Sequence, residues 1–240
     1  MDASSSSTST LSSTESVTAS TTSAFVLTYT SSSTSSSASQ PVATCIEPGT
    51  SDYYIHATAI DGIKFLNYQY TQGFFTSFST GSADPRLIVR PANFDPVTCR
   101  FSLYMLNQPS YSNAQYLGFI TDYDNVDNKN DMLANSYNHV QLGGSNTNAG
   151  SAQGFAYQNS RNMADEGPGL TSESGVWSLV DSATNTLQVN WINVSGEIVT
   201  LPTYKNEYGD VKGIRDISTY SAHYTSETNI AILFSLVRVQ

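Results

Sequence analysis

Serine and threonine dominate the start of this chain and limit what that segment can fold into. Of the first 40 residues, 26 are Ser or Thr, and at Pro41 the composition changes to a chain rich in tyrosine and asparagine. Ordering a backbone costs roughly 1–2 kcal/mol per residue. A segment with so few large apolar side chains cannot offset that cost by burial. We therefore predict that residues 1–40 form a disordered stalk or linker.

The location of the protein is suggested by the same tract, because such Ser/Thr runs resemble the O-glycosylated stalks of secreted and cell-surface proteins. We therefore expect an extracellular or cell-wall protein. No signal peptide is visible, since Met1 is followed by Asp2 and a serine run with no apolar block. The chain is then a fragment or processed form, or secretion is the wrong inference. Residues 41–240 suffice for one well-buried domain, which we predict there.

The charge of the chain disfavours polyanionic partners. It carries 20 acidic and 10 basic residues, a formal net charge of −10, and no Lys or Arg precedes Lys64. Nucleic acid and anionic membranes would be repelled. No apolar run approaches the roughly 18 residues of a transmembrane helix, so we expect no membrane insertion.

Two cysteines and one sequon bear on a secreted chain. Cys45 and Cys99 are the only cysteines. In a secreted chain, two cysteines predict one disulfide. The alternative is two unrelated buried thiols. Asn193 heads the sequon Asn-Val-Ser. It is the candidate glycosylation site if the chain passes through a secretory pathway.

Short strand-like segments fill the rest of the chain, separated by Gly, Asn, Asp, Ser and Pro clusters, with no persuasive helical period. Pro91 is expected to end the third of them. So many short strands predict an all-β fold, either a closed barrel or a β-sandwich. The predicted strands are 53–60, 63–70, 86–90, 100–106, 116–121, 154–159, 176–180, 186–192, 198–201 and 230–239.

An aromatic residue followed by Ser-Leu occurs three times, at 101–103, 177–179 and 234–236. Cutting the domain on these landmarks gives three units, roughly 52–106, 115–180 and 186–239, each with room for four strands. Three units of four strands is the layout of a β-trefoil-like barrel. The β-sandwich is the alternative.

Residues 176–187 resemble the strand–turn–strand junction of ricin B-like lectins. In that family a Gln-x-Trp motif closes each repeat; the corresponding triplets here, 99–101, 175–177 and 232–234, lack the glutamine. The chain as a whole is also similar to fungal secreted, Ser/Thr-rich cell-surface glycoproteins. The lectin resemblance implies β-trefoil units in which an Asp after the first strand binds sugar hydroxyls and a later aromatic residue supplies a platform. The carbohydrate-binding candidates it implies are Asp61 with Tyr68, and Asp122 with Tyr137 and Asn138.

Residues for catalysis or metal binding form no recognisable motif. The nucleophile signature Gly-x-Ser-x-Gly is missing, and the three histidines lack metal-ligand spacing. The Asx-rich run 122–131 is the densest group of oxygen ligands but fails the helix-loop-helix calcium pattern, because Val126 takes a ligand position. We predict no catalytic residue, no metal and no cofactor.

The large number of tyrosines favours a sugar-binding function. Fourteen tyrosines follow residue 40, interleaved with Asn, Gln and Asp, and sugar sites pair a stacking ring with amide or carboxylate partners. We predict a non-enzymatic module that binds a neutral glycan or cell-wall polysaccharide. The alternatives are a structural surface glycoprotein without a small ligand, a module that recognises another protein, and a hydrolase whose carboxylate pair is not located. Asp165, Glu166 and Glu173 form the one acidic cluster outside the Asx run.

Overall fold

The computed structural model describes residues 45–67, 70–71, 74–75, 78–79, 86–108, 115–126, 130–145, 157–158 and 170–240. These residues fall in one compact unit. They form β-strands and one short α-helix, so the predicted all-β class is confirmed. The predicted stalk, 1–40, lies outside the described residues.

The strands are numbered in chain order, with α1 (Ile217–His223) preceding the last of them. They are β1 (Tyr53–Ala59), β2 (Gly62–Leu66), β3 (Tyr70–Thr71), β4 (Phe74–Phe75), β5 (Phe78–Ser79), β6 (Ile88–Asp95), β7 (Arg100–Met105), β8 (Tyr116–Thr121), β9 (His139–Ser145), β10 (Tyr157–Gln158), β11 (Thr171–Glu173), β12 (Trp177–Asp181), β13 (Thr186–Ile192), β14 (Ile198–Leu201), β15 (Thr203–Lys205), β16 (Val211–Ile214) and β17 (Ile230–Arg238).

Eight strands close into an antiparallel barrel in the order β1, β6, β7, β8, β9, β16, β15, β17 and back to β1. The closing pair runs from Tyr53 opposite Arg238 to Thr58 opposite Leu233. Closure leaves no open edge along the circuit that could pair with another chain. The architecture is therefore a barrel and not the alternative β-sandwich.

The remaining strands attach to this barrel. β2 pairs with β1, β11 with β8, and β14 with β13. β12 joins β7 where Trp177 lies opposite Phe101, and β13 pairs with both β12 and β17. A second closed circuit of six antiparallel strands therefore runs through β1, β6, β7, β12, β13 and β17.

The three aromatic-Ser-Leu motifs deliver their rings to the core. Phe101, Trp177 and Phe234 are buried. The Trp177 ring lies 5.7 Å from that of Phe234 and 5.6 Å from that of Phe119, and its indole nitrogen donates to the carbonyl of Leu117 at 2.9 Å. Burying each such side chain stabilises the fold by roughly 1.5–3 kcal/mol. The recurrence of the motif thus has a packing reason.

The two hairpins β6–β7 and β12–β13 each contain a turn of the same type. Asp95 accepts hydrogen bonds from the Val97 amide (2.9 Å) and the Thr98 hydroxyl (2.6 Å). Asp181 accepts the same two bonds, from residues 183 (2.8 Å) and 184 (2.6 Å). The residue after each threonine, Cys99 or Asn185, has a positive φ of 58° or 50°. The two turns are Asp-x-x-Thr sequences completed by a left-handed residue.

The predicted disulfide is confirmed. Cys45 is bonded to Cys99, with the two Cα atoms 5.0 Å apart. The next residue, Ile46, forms an isolated β-bridge with Leu179 of β12. The start of the described chain is therefore fixed to the β6–β7 turn and to β12.

The predicted elements need two kinds of correction, one strand end and several missed elements. β6 does not end at Pro91, which lies opposite Leu103 of β7. The Leu106 amide donates to the carbonyl of Ile88, so every second residue of β6, counted from Ile88, forms hydrogen bonds with β7. Pro91 lies between two such residues, and its backbone groups point away from β7. β6 meets β1 there only at 88 and 89, so proline removes no ladder bond. The helix α1 and the strands β4, β5, β9, β11, β15 and β16 were not predicted.

Candidate functional site

Neighbouring strands bring distant polar residues to one place at the ends of β8, β9 and β16. Thr121 lies opposite Val140, and β9 continues the sheet to β16, with Gln141 opposite Lys212. Asp122 directly follows β8, and His139 opens β9. We call the group built here the α1 cluster; it consists of Asp122, Tyr137, His139, Gln141, Lys212, Tyr220, His223, Tyr224 and Glu227.

Helix α1 begins at Asp216, whose carboxylate accepts the backbone amides of Ser218 (3.1 Å) and Thr219 (3.0 Å). This N-cap satisfies donors that a helix start leaves without partners. Hydrogen bonds from Ser218 and Thr219 hold the pKa of Asp216 well below its usual range. The helix then turns Tyr220 inward, where it is fully buried.

Asp122 is held as a carboxylate by its surroundings. Its Oδ2 accepts a hydrogen bond from Gln141 and lies 3.5 Å from Nε2 of His139, and its Oδ1 accepts the Asp124 amide at 3.0 Å. Burial acts to raise the pKa of Asp122, but the hydrogen bond and charge of His139 outweigh burial and lower it. A carboxylate fixed in this way is an acceptor for hydroxyl groups.

A buried ion pair supports the cluster from below. The Lys212 ammonium donates to the Tyr220 hydroxyl at 2.6 Å and to both Glu227 oxygens at 3.0 and 2.8 Å. Tyr220 in turn donates to Glu227 at 2.8 Å. Burial and the Glu227 carboxylate raise the pKa of Tyr220. Since Lys212 is only 4% exposed, this network positions α1 and is not itself a binding surface.

Three aromatic rings pack together near that ion pair, the His223 ring exposed and the Tyr137 and Tyr224 rings partly buried. The Tyr137 ring and the exposed His223 imidazole are stacked, with centroids 3.7 Å apart and planes 5° from parallel. Tyr224 meets His223 edge-on at 4.7 Å and Tyr137 at 6.1 Å. Burial, followed by the charges of Asp124 and Asp122, raises the pKa of Tyr224. The Tyr224 ring lies 5.6 Å from that of His139, which contacts Asp122. The cluster thus offers flat rings next to fixed hydrogen-bond acceptors.

Asn138, the third candidate of this group, has a different role. It is buried, and its amide accepts from the Val126 nitrogen (2.9 Å) and donates to the carbonyls of Val126 (2.9 Å) and Asp131 (3.2 Å). Asn138 therefore pins the loop that carries Asp122 and has no free polar atom to offer a ligand in this arrangement.

Asn193 is also engaged inside the fold. It is 2% exposed; its carbonyl oxygen accepts the Met132 amide at 2.8 Å and its nitrogen donates to Glu197 at 3.1 Å. A glycan on that nitrogen would displace the bond to Glu197 and require space in a buried site, so the folded structure disfavours glycosylation there.

The first candidate pair is separate from the α1 cluster. Asp61 follows β1, and its Oδ2 accepts hydrogen bonds from Lys64 (2.9 Å) and Lys205 (2.5 Å). These bonds, the one from Lys205 first, lower the pKa of Asp61 to about 2. Tyr68, its predicted partner, lies outside the described residues.

Acid catalysis finds little support in the described carboxyl groups. Of those whose pKa is shifted, only that of Glu173 is raised, because the group is buried. Its side chain is fully enclosed and Oε2 accepts the Ile192 amide at 3.0 Å, so it cannot reach a substrate. The predicted acidic residues Asp165 and Glu166 lie outside the described residues.

The described part of the chain has neither a metal-binding group nor a membrane-spanning helix. There, no group of three or more His, Cys, Asp or Glu side chains could hold a metal ion; residues 127–129 of the Asx-rich run are outside it. Nor does any helix in the described ranges have the length and apolar character needed to cross a membrane.

Sequence reasoning found two members of the α1 cluster, Asp122 and Tyr137, and missed the others. The residues from β16 and α1 follow Asp122 by about a hundred positions. The pairing of β9 with β16, which brings them close to Asp122, cannot be predicted from a single sequence. One local signal was available for the helix, since Asp216 followed by Ser218 and Thr219 is a helix N-cap pattern.

Comparisons of the chain with protein-family models, with curated proteins and with solved structures find no match in any of the three. The resemblance to ricin B-like lectins consequently depends only on the residues quoted for it, and it stays a prediction.

Proposed function

We propose that this chain is a secreted or cell-wall-associated, non-enzymatic module that binds neutral carbohydrate through the α1 cluster. The observation that carries the proposal is the stack of the exposed His223 ring on the half-buried Tyr137 ring, in the same cluster as the fixed Asp122 carboxylate. A sugar ring presents an apolar face to such rings and hydroxyls to such acceptors.

The charge of the cluster narrows the ligand class. Asp122 and Glu227 have lowered pKa values. Lys212 balances the charge of Glu227, and the carboxylates of Asp122 and the exposed Asp124 leave the surface acidic at neutral pH. An anionic sugar would be repelled at this place, whereas a neutral one is tolerated. The same lowered values favour hydrogen-bond acceptance over proton donation, which argues for binding and against hydrolysis.

The finer fold in this proposal is a β-trefoil-like set of three units with a common four-strand plan, 53–95, 100–181 and 186–238. Short additional strands bring the described strands in these units to six, six and five. Three features support this plan. One is the six-strand circuit, and another is the Asp-x-x-Thr turn found at both junctions between units. The third is that the first strand of each unit pairs with the second, in β1–β2, β7–β8 and β13–β14. In this arrangement Phe101 opens the second unit instead of closing the first. The units 52–106 and 115–180 drawn from the motif alone are shifted accordingly.

Two other functions compete with this one. A structural surface glycoprotein would need no ligand, and a module that recognises another protein would use its loops. Neither of these functions requires the protein to bind a glycan as a ligand.

The test is a neutral-glycan array together with pull-down on insoluble chitin, glucan and mannan. We expect binding that persists in moderate salt and falls about tenfold in the variants Tyr137→Ala and His223→Ala, because each removes part of the ring surface. Tyr208→Ala is the matched control, since Tyr208 is 75% exposed and lies outside the cluster. Silence across all glycans, or equal loss in the control, would rule the proposal out.

A further inference from the structure

A second feature lies away from the α1 cluster, at the turn between β1 and β2. A shallow depression there has an apolar lining from Ala57, Ala59, Phe78 and Ile232, and its rim carries Asp61, Lys64 and Lys205. Ala57 and Ala59 of β1 and Ile232 of β17 give it an apolar surface next to the polar groups.

Two of the four lysines in the chain converge at this point. Lys64 and Lys205 both donate to the same oxygen of Asp61, although Lys205 is 144 residues away along the chain. Gly62, at φ 112°, makes the turn that brings Asp61 and Lys64 together. The arrangement depends on three separate strands and is not a local helix or loop pairing.

The charges at this place do not balance. Two ammonium groups face one carboxylate, which leaves one surplus positive charge in a chain whose net charge is −10. An ammonium has three N–H donors, and each lysine gives one to Asp61. The Lys205 side chain is only 11% exposed, so water reaches its remaining donors poorly.

Three other cations of the described chain, Arg90, Lys212 and Arg215, have one carboxylate each. Arg90 faces Asp52 at 2.7 Å, and Lys212 faces Glu227 at 2.8 Å. A partly desolvated cation without its own counterion favours an anion, and charge-assisted hydrogen bonds to carboxylate are the strong kind. The depression encloses no space for a ligand, so only a single group at its surface can contact the two lysines.

We propose that Lys64 and Lys205 bind the carboxylate group of a small organic acid, sugar acids included, in the depression beside Asp61. Asp61 holds the two ammonium groups together and competes with the ligand for them. The carbon skeleton next to the carboxylate contacts the apolar floor. This site is independent of the carbohydrate function proposed for the α1 cluster.

The experiment is calorimetric titration of the full chain with three probes at low ionic strength. Acetate presents the carboxylate alone, glucuronate presents it on a sugar ring, and glucose presents the ring alone. We expect acetate or glucuronate to bind and Lys64→Gln to weaken that binding about tenfold, through loss of one charge-assisted hydrogen bond. Asp61→Asn removes the competing carboxylate and is expected to tighten it.

Matched controls separate the site from the overall charge. Arg90→Gln changes the net charge as Lys64→Gln does, and Asp52→Asn matches Asp61→Asn; both belong to an exposed pair elsewhere. The controls should bind as the parent does. Binding of glucuronate alone supports a sugar acid, and equal binding of acetate supports any carboxylate. The proposal fails if neither binds, if glucose binds equally well at this place, or if the controls shift as much as the site variants.

Discussion

At the scale of single residues, two carboxyl groups of adjoining strands have pKa values shifted in opposite directions, although burial acts to raise both. His139 and other partners keep the pKa of Asp122 low despite burial. Glu173 has one backbone partner, and the pKa of this group is raised well above 4.5 because burial outweighs the Ile192 amide and the Arg100 charge. β11 reaches this depth because Gly118 of β8 has no Cβ, which would meet the Glu173 carbonyl at 2.1 Å.

The raised pKa of Glu173 gives a pH prediction. Because the folded pKa exceeds the unfolded one, the stabilisation is complete below about pH 4.5 and is lost as pH rises through the folded value. Glu173→Gln removes this loss while keeping an acceptor for Ile192. The variant should gain stability over the parent as pH rises, by at most about 1.4 kcal/mol per pH unit.

Urea unfolding of parent and variant between about pH 5 and pH 8 measures this difference. The lowered carboxyl groups, Asp61 and Asp122, act in the opposite direction, since their stabilisation is lost as pH falls. They are common to both proteins and cancel in the comparison. A constant difference across the range would contradict the assignment of a protonated Glu173.

At the scale of elements, the shared turn of the two hairpins requires a left-handed residue at its end. Asn185 takes that position with φ 50°, where asparagine and glycine are tolerated and β-branched residues are strained. We expect Asn185→Val to destabilise the protein by about 1–2 kcal/mol and Asn185→Gly to be nearly neutral. Thermal unfolding of the two variants side by side decides it, and equal melting temperatures would argue against the turn.

Elements with a strong local pattern were predictable from the sequence. The strands 116–121, 186–192 and 198–201 have the predicted bounds, because β-branched and aromatic residues between turn signals fix them locally. β9 was missed since its Gly143 and Gly144 have low strand propensity. It is a strand because β8 and β16 pair with it on both sides. The α1 cluster could not be predicted for the same reason, because its members come together only through those long-range strand pairings.

At the scale of the whole molecule, the disulfide closes a long loop. Cys45 and Cys99 are 54 positions apart, which in the chain-entropy model stabilises the fold by about 4 kcal/mol. Reduction, or the double variant Cys45→Ser/Cys99→Ser, should lower the melting temperature clearly. If calorimetry with and without reductant gives the same transition, the bond has no part in stability.

The position of that bond also has a mechanical consequence. Cys45 precedes β1 and is joined covalently to the turn between β6 and β7. Tension applied to the chain before Cys45 therefore enters the barrel at Cys99 and bypasses the first hydrogen bonds of β1. Peeling of β1 from its leading end, the weakest way to open a sheet under load, is blocked while the bond is intact.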